Sequence, residues 1–550
     1  MTHPNASHPA PSVGPARSRR WLAGMAVLFA TASPSFAAKT IYVPAFLAQD
    51  GVNLSDCSTQ FCYDRSFQTD NWIVFWEKGF GTDPSKASGT YKVDTAALKA
   101  VAEKSFATYV DTLKMVVKGS SLTDKYKQMI FLLYQTDWAA YGSGQDEKVG
   151  TLHVDPAAAN IATVLAHEIG HCFEYMTGAD VSGAGWRWGF GANGAGGNGF
   201  WEQIAQWEAF KAYPEAQFAD YDFDNYVKSN HKHLVHETPR YANYFIGDYW
   251  AWKRGIDFMG KLWRGTKTYE DPIDTYKRLT GVTQEQFDDE MYEHASRLTT
   301  WDLPAIKSYG ANYIDSRAQV KMSKTSDGYW LVDTSATPEN YGYNSIKLNA
   351  PATATTVSVS FKGKAGQSGY RSLNVAKGGW RYGFVALLKD GTRVYSDMAT
   401  AKYTNGANPE GSISFAVPAN SSKLWLVVSG APQEHWHHAW DDDDTNDEQW
   451  PYQVQFVNTN LLGQTNPPSV SVQEFERTAR GAFVVRDGML EIATGVERAE
   501  ILDVQGNLIR SLDASSARMA SLNALPKGVL LVRTWGRDAA RPTTGRFTNF

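Results

Sequence analysis

Beyond its N-terminus the sequence lacks any apolar run near the 20 or so residues a membrane helix needs, so no helical span is expected. It also lacks a cluster of lysine and arginine. Arg17, Arg19 and Arg20 are the only charged side chains in residues 1–37, so the remainder sets 50 basic residues against 58 acidic ones, a net charge of about −8. Phosphate recognition needs a basic stripe, and a nucleic-acid partner is therefore not expected. No short-period repeat is present, which argues against a solenoid. Disorder is excluded by the abundance of large side chains, 19 Trp and 27 Tyr among them. Cysteine is scarce, with three in 550 residues. Cys57 and Cys62 in "CSTQFC" can close a small loop as a disulfide in an exported protein, whereas Cys172, beside His171, reads as a buried free thiol.

What is present begins with an export signal. Three arginines precede the apolar run Trp21 to Ala32, and Ser35 and Ala37 are small residues before Ala38. Twelve apolar residues are too few to span a bilayer, so residues 1–37 read as a signal peptide and the mature chain as secreted and extracellular. The length is enough for about three domains. Mixed helical and strand periods up to about Thr300 predict an α+β domain over 38–305. Short alternating strands follow and predict a β-sandwich over 306–462, with Asp390-Gly391 joining one hairpin. A smaller β-sandwich module over 463–550 turns at Gly506.

Within the first domain, "NWIVFWE" and "QMIFLLY" read as strands, and Thr95 to Val116 as a helix. The strand "VGTLHVDP" then leads into a helix from Pro156 to Thr177, with Asp155 as N-cap, Pro156 at the first position and Gly178 closing it. That helix carries His167-Glu168-x-x-His171. Imidazoles four residues apart share a helix face and can reach one metal ion, with Glu168 held beside the open coordination position. Glu174 stands about 10 Å along the helix from His167, too far to join them. The Gly and His of the metzincin extension are absent, since Glu174 and Thr177 occupy those places. In "GFWEQIAQWEAF", Glu202 supplies a third ligand, ahead of its rival Glu208. Gln206 lies one turn on, on the same face, placed to accept a hydrogen bond from a liganding imidazole. Two His and one Glu, with water as the fourth ligand, are the ligand choice of thermolysin-type catalytic zinc.

"HEIGH" followed by "WEQIAQW" resembles the gluzincin zinc metallopeptidases. With "DNWIVFWEKGFGTDP", "HKHLVHETPRYANYFIGDYW" and "WDDDDTNDEQWPYQVQF", residues 40 to 460 or so resemble the secreted Svx and AvrXca-type avirulence proteins of plant-pathogenic bacteria. The resemblance implies a zincin-like catalytic domain and an exported zinc peptidase acting near a host, on host proteins as a virulence or avirulence factor. One departure is Gln206, where thermolysin-like relatives usually carry Asp. The C-terminal module is similar to the tails of type IX secretion cargo, yet lacks their basic end, so a plain accessory sandwich is the expectation.

The expected chemistry is hydrolysis of a protein or peptide by a zinc-activated water with Glu168 as general base. His233 and Tyr241 are the candidate oxyanion donors. The strand "GTLHV" can pair with an extended peptide, leaving Thr151 or His153 near the cleft, and the Gly183 to Gly199 loop reads equally as the cleft's wall or as a slack linker between two helices. The run Asp441 to Asp444 offers the oxygen donors that Ca2+ takes, without the spacing of a helix-loop-helix site, so a solvated turn is expected there. His435, His437 and His438 in "EHWHHAW" are expected to pack on the sandwich. The alternative from another class is a secreted adhesion or glycan-binding protein whose metal site is structural.

Overall fold

Strand alternation builds the first sheet. The computed structural model describes residues 38–181, 197–267, 269–466, 483–486, 489–503, 506–514, 518–521, 524–526, 528–536 and 543–549; the expected signal peptide and most of the Gly183 to Gly199 loop lie outside the described residues. Strands β1 (Ser66–Gln68), β2 (Trp72–Trp76), β3 (Gln128–Leu132), β4 (Ala140–Gln145) and β5 (Val149–Val154) pair in the order β1-β2-β3-β5-β4. β2, β3 and β5 are parallel, and β1 and β4 run antiparallel at the two edges. Successive side chains face opposite ways. Trp72, Val74 and Ile130 therefore enter the large core beneath the helices, while Ile73, Phe75 and Met129 enter a small one closed by Leu47, Leu54 and Phe61. The Cys57–Cys62 disulfide lies in that closing segment. Arg65 is buried against it because the carbonyls of Cys57, Thr59 and Gln60 accept from its guanidinium.

Three expectations need correction here. β4 makes β5 an inner strand, so "GTLHV" is not the edge that a peptide can reach. The helix expected from Pro156 to Thr177 is two helices. Asp155 does cap the first, accepting from Ala157 and Ala158 N–H, but that helix ends at Ala159, and the motif helix runs Ala162–Ala179, past Gly178. The break is at Asn160, whose side chain accepts from Asp94 N–H and donates to Lys92 C=O, 2.9 and 2.8 Å, tying it to the start of the helix Thr95–Ala107. That helix widens into a π-helical turn, Thr108–Thr112, before it can reach Val116.

The protein is a multidomain, mixed α/β chain with β-sandwich modules. The sandwich strands are β6 (Met322–Lys324), β7 (Trp330–Val332), β8 (Tyr343–Leu348), β9 (Thr355–Gly363), β10 (Gly379–Leu388), β11 (Arg393–Tyr395), β12 (Ala399–Lys402), β13 (Glu410–Val417), β14 (Ser421–Gly430) and β15 (Tyr452–Val457). They form the sheets β11-β10-β14-β8, with β12 on β10, and β13-β9-β15-β7-β6. β10 and β14 are buried almost throughout. Their alternate residues explain it: Trp380, Phe384 and Leu426 fill the space between the sheets, whereas Val385, Trp425 and Val427 join the core of the first domain. Further on, strands Val496–Leu502 and Leu508–Asp513 pair around Gly506, and Leu490 to Val532 supply a third small core. Among the described residues no helix is long and apolar enough to cross a membrane.

A buried ion network also joins the first domain to the sandwich. Glu237 meets His438 at 2.8 Å, His438 meets Asp447 at 3.0 Å, and His236 meets Asp447 at 3.1 Å. The acidic run is part of this junction: Asp441 and Asp442 N–H both donate to Glu237 at 3.2 Å, and Asp444 pairs with Lys232 at 3.0 Å. Burial would push the Glu237 carboxyl up, but the hydrogen bond and charge of His438 outweigh it and hold it down at about 2. A group titrating at about 2 in the fold and 4.5 in the unfolded chain contributes stability that is full above pH 4.5 and lost as pH falls toward 2. Glu237→Gln is expected to lower the melting midpoint at neutral pH and to flatten its decline below about pH 4.5. Melting curves across that range check this, and an unchanged acid slope in the variant would contradict it.

Candidate metal centre

The motif helix lies unusually close to its neighbours on two sides. A Cβ at Gly170 would stand 3.0 Å from Ala205 Cα, so the helix Gly197–Ala212 packs nearly backbone to backbone against the motif helix. This brings Glu202 opposite the two imidazoles: its Oε2 is 3.1 Å from His167 Nε2 and 3.2 Å from His171 Nε2. Behind the rings, His167 Nδ1 meets Gln206 Oε1 and His171 Nδ1 meets Glu174 Oε2, each at 2.8 Å. Both partners are acceptors, so each Nδ1 carries its proton and each Nε2 turns a lone pair toward Glu202. Two lone pairs facing a carboxylate oxygen this closely suit a positive charge between them, a proton or a metal ion.

The electrostatics agree. Burial opposes charge on His171, yet Glu202 and Glu174 outweigh it and raise its proton affinity well above the ordinary value. Burial likewise works against an ionised Glu202, but His171 and His167 pull that carboxyl far down. The spacing also fits: bonds of about 2.0 Å to a tetrahedral ion give ligand edges of roughly 3.3 Å, close to what is seen. His167, His171 and Glu202 can therefore hold a metal ion. Glu208 does not join them. It is buried against Gly170, and burial together with Glu174 raises its carboxyl well above the usual range, toward the neutral acid. Glu174, set aside as a ligand, instead orients His171, an i, i+3 pair already visible in "HCFE".

On its other side the motif helix touches β4. A Cβ at Gly142 would fall 2.0 Å from Glu168 O and 3.0 Å from His171 Cβ, so only glycine fits. Tyr109, from the π-helical turn, donates to Ala166 C=O at 2.8 Å and pins the turn just before His167. Between β4 and the donor group opens a cleft of about 840 Å³, lined by Glu168, Tyr241, Tyr141, Arg240 and Trp440 among others. Tyr241 is near the donors, its ring 5.9 Å from that of His167. His233 is not. Its ring is buried and stacked on His438 at 4.6 Å, and its Nδ1 accepts Val235 N–H, so it has no access to the cleft. Thr151 is buried, and His153 is sandwiched between Phe131 and Tyr141 on the sheet, so neither reaches the cleft. Cys172 is a buried free thiol.

Sequence reasoning did not find Trp138, Asp222, Arg240 or Trp440, which also line the cleft. Asp222 is pushed up to about 6 by burial and by Asp220. Trp440 arrives from the sandwich and lies under Arg240 at 5.2 Å, a long-range placement with no local signal.

Fold and site together define a mixed α/β protein with sandwich modules and a His2Glu group in an open cleft. The chain belongs to a family of unknown function, DUF6055, whose model matches residues 33–463. No curated protein matches it. Among solved structures, it is similar to the C-terminal family 22 carbohydrate-binding module of Clostridium thermocellum Xyn10B, at 13% identity over 26% of this chain and 83% of that one, TM-score 0.16. It is also similar to a Clostridium perfringens ZmpB structure containing CBM51-2, at 10% identity over 42% and 77%, TM-score 0.12. Overlaps this shallow carry no argument.

Gly142→Ala is expected to force β4 from the motif helix, costing about 1–3 kcal/mol of stability and weakening metal uptake. Melting and metal titration of the variant check this; wild-type values for both would show that the strand and helix are not in contact.

Proposed function

We propose that this protein is a secreted zinc metallopeptidase with a zincin-like catalytic domain, of the gluzincin kind, that hydrolyses peptide bonds of proteins outside the cell. The observation that carries the reading is the group of His167, His171 and Glu202, three donors with a fourth side open to the cleft. A structural zinc site closes with four protein ligands, whereas a catalytic one keeps a position free. Imidazole and carboxylate donors at these spacings suit zinc. The resemblance to the Svx and AvrXca-type proteins supports a host protein as target, and the Arg17 to Ala37 segment supports secretion.

Zinc held there would supply the polarisation of a water molecule and of the scissile carbonyl. The remaining work falls to the chain. Glu168, in the turn between the two histidines, takes a proton from the attacking water and returns it to the leaving amine. Gln206 and Glu174 hold the imidazoles by their Nδ1 protons, so neither ring can turn away. Burial and Glu202 raise the Tyr241 hydroxyl above its ordinary value, so it stays protonated and donates to the oxyanion. Among the described residues β4 pairs only with β5, leaving its outer edge for an extended peptide to join as a further strand. The exposed rings of Trp138 and Tyr141 offer apolar contact beside it.

Purified mature protein is expected to cleave a mixed protein substrate and to lose activity on chelation. Glu168→Gln should keep its cleft zinc while turnover falls by about 10²–10⁴. Glu202→Ala should lose that zinc. An active Glu168→Gln protein, or a wild type whose zinc content is unaffected by Glu202→Ala, would sink the peptidase reading; retained binding to a glycan or surface in an inert chain would favour an adhesion role.

A further inference from the structure

A second set of donors stands where the first domain meets the sandwich. Helix Pro272–Thr280 is capped by Asp271, whose Oδ1 accepts Asp274 N–H at 2.7 Å. The cap occupies one oxygen of Asp271 and turns the other, Oδ2, to His435 Nε2 at 2.8 Å. Asp274, in the first turn of the same helix, places Oδ2 2.7 Å from His437 Nε2. The four donor atoms lie within 4.8 Å of one another.

The histidines come from the segment between β14 and β15. Trp436 packs against the sandwich core, its ring 6.3 Å from Trp450, and its two neighbours project together toward the helix. His435 is oriented from behind. Its Nδ1 is 3.0 Å from Tyr341 Oη, a hydroxyl that already accepts from Gln284 Nε2 at 3.3 Å. In the tautomer that donates Nδ1–H to that oxygen, Nε2 faces the fully buried Asp271 carboxylate with a lone pair. Two carboxylates and two neutral imidazoles carry a charge of −2, which one divalent ion balances. Metal-binding histidines characteristically have their second nitrogen held in this way.

We propose that Asp271, Asp274, His435 and His437 bind a second divalent ion of the zinc class, one that imidazole and carboxylate together favour. Four protein ligands leave no open position, so this ion is structural. It clamps the helix to the sandwich, and the close His–Asp contacts open to roughly 3.3 Å edges around it. His437 and Asp274 are part-exposed, which gives the ion a way in.

The test uses full-length mature protein stripped of metal and titrated with zinc, counting bound equivalents per chain and following the melting midpoint. In the Glu202→Ala chain, whose cleft group is disabled, uptake of one equivalent with a rise in midpoint is expected. No uptake there overturns the proposal. Adding His435→Asn and His437→Asn, or the milder Asp274→Asn, should remove that equivalent or weaken it at least tenfold, and undiminished binding in Asp274→Asn and in the folded double variant also overturns it. In otherwise wild-type protein the His435→Asn/His437→Asn pair should lower the count by one and leave peptide hydrolysis measurable, so failure of this site and failure of the cleft reading give different counts.

Discussion

The placement of the motif helix against two backbones at once governs the rest of the cleft. At Gly170 it meets the helix that carries Glu202, and at Gly142 it meets the edge strand. The second leaves no room for any side chain, and the first is tighter than nearly all side chains accept. Because interiors are close-packed, a helix fixed on two sides cannot shift by even a methyl width without displacing something. The imidazoles are therefore held to the spacing that three converging donors need, and Gln206, Glu174 and the Tyr109 hydroxyl remove what freedom remains.

Much of this centre was legible because its signals are local. Two histidines one turn apart, and Glu202 with Gln206 one turn apart on a second helix, follow from helical periodicity alone, and the structure does bring these side chains to one point. The edge strand was not legible. "AYGSGQ" has no apolar alternation because its glycines are chosen for contact with the motif helix and the Tyr175 ring rather than for a core. The helix break at Asn160 depends on a partner 66 residues away. His233 looked available beside Tyr241, and only tertiary packing on His438 buries it.

The sandwich was legible in outline, from its short strands and its Asp390-Gly391 turn, but its second role was not. Continuous burial along β10 and β14 reads in the sequence as an ordinary central strand. In the structure it marks a sheet with two cores, one shared with the helices around the cleft. The same junction holds the Glu237 network and places Trp440 beside Arg240.

That doubly covered sheet bears on how such a chain can change over generations. Cutting before the sandwich would bare Val385, Leu387, Trp425 and Val427, each worth about 1.5–3 kcal/mol of burial, roughly 6–12 in all and comparable to the whole stability of a typical domain. The helical half cannot be shuffled onto another scaffold, nor the sandwich traded for a different appendage, without first inventing a new surface for both. Two halves joined in this way are expected to be inherited together, and the family model that matches residues 33–463 spans both.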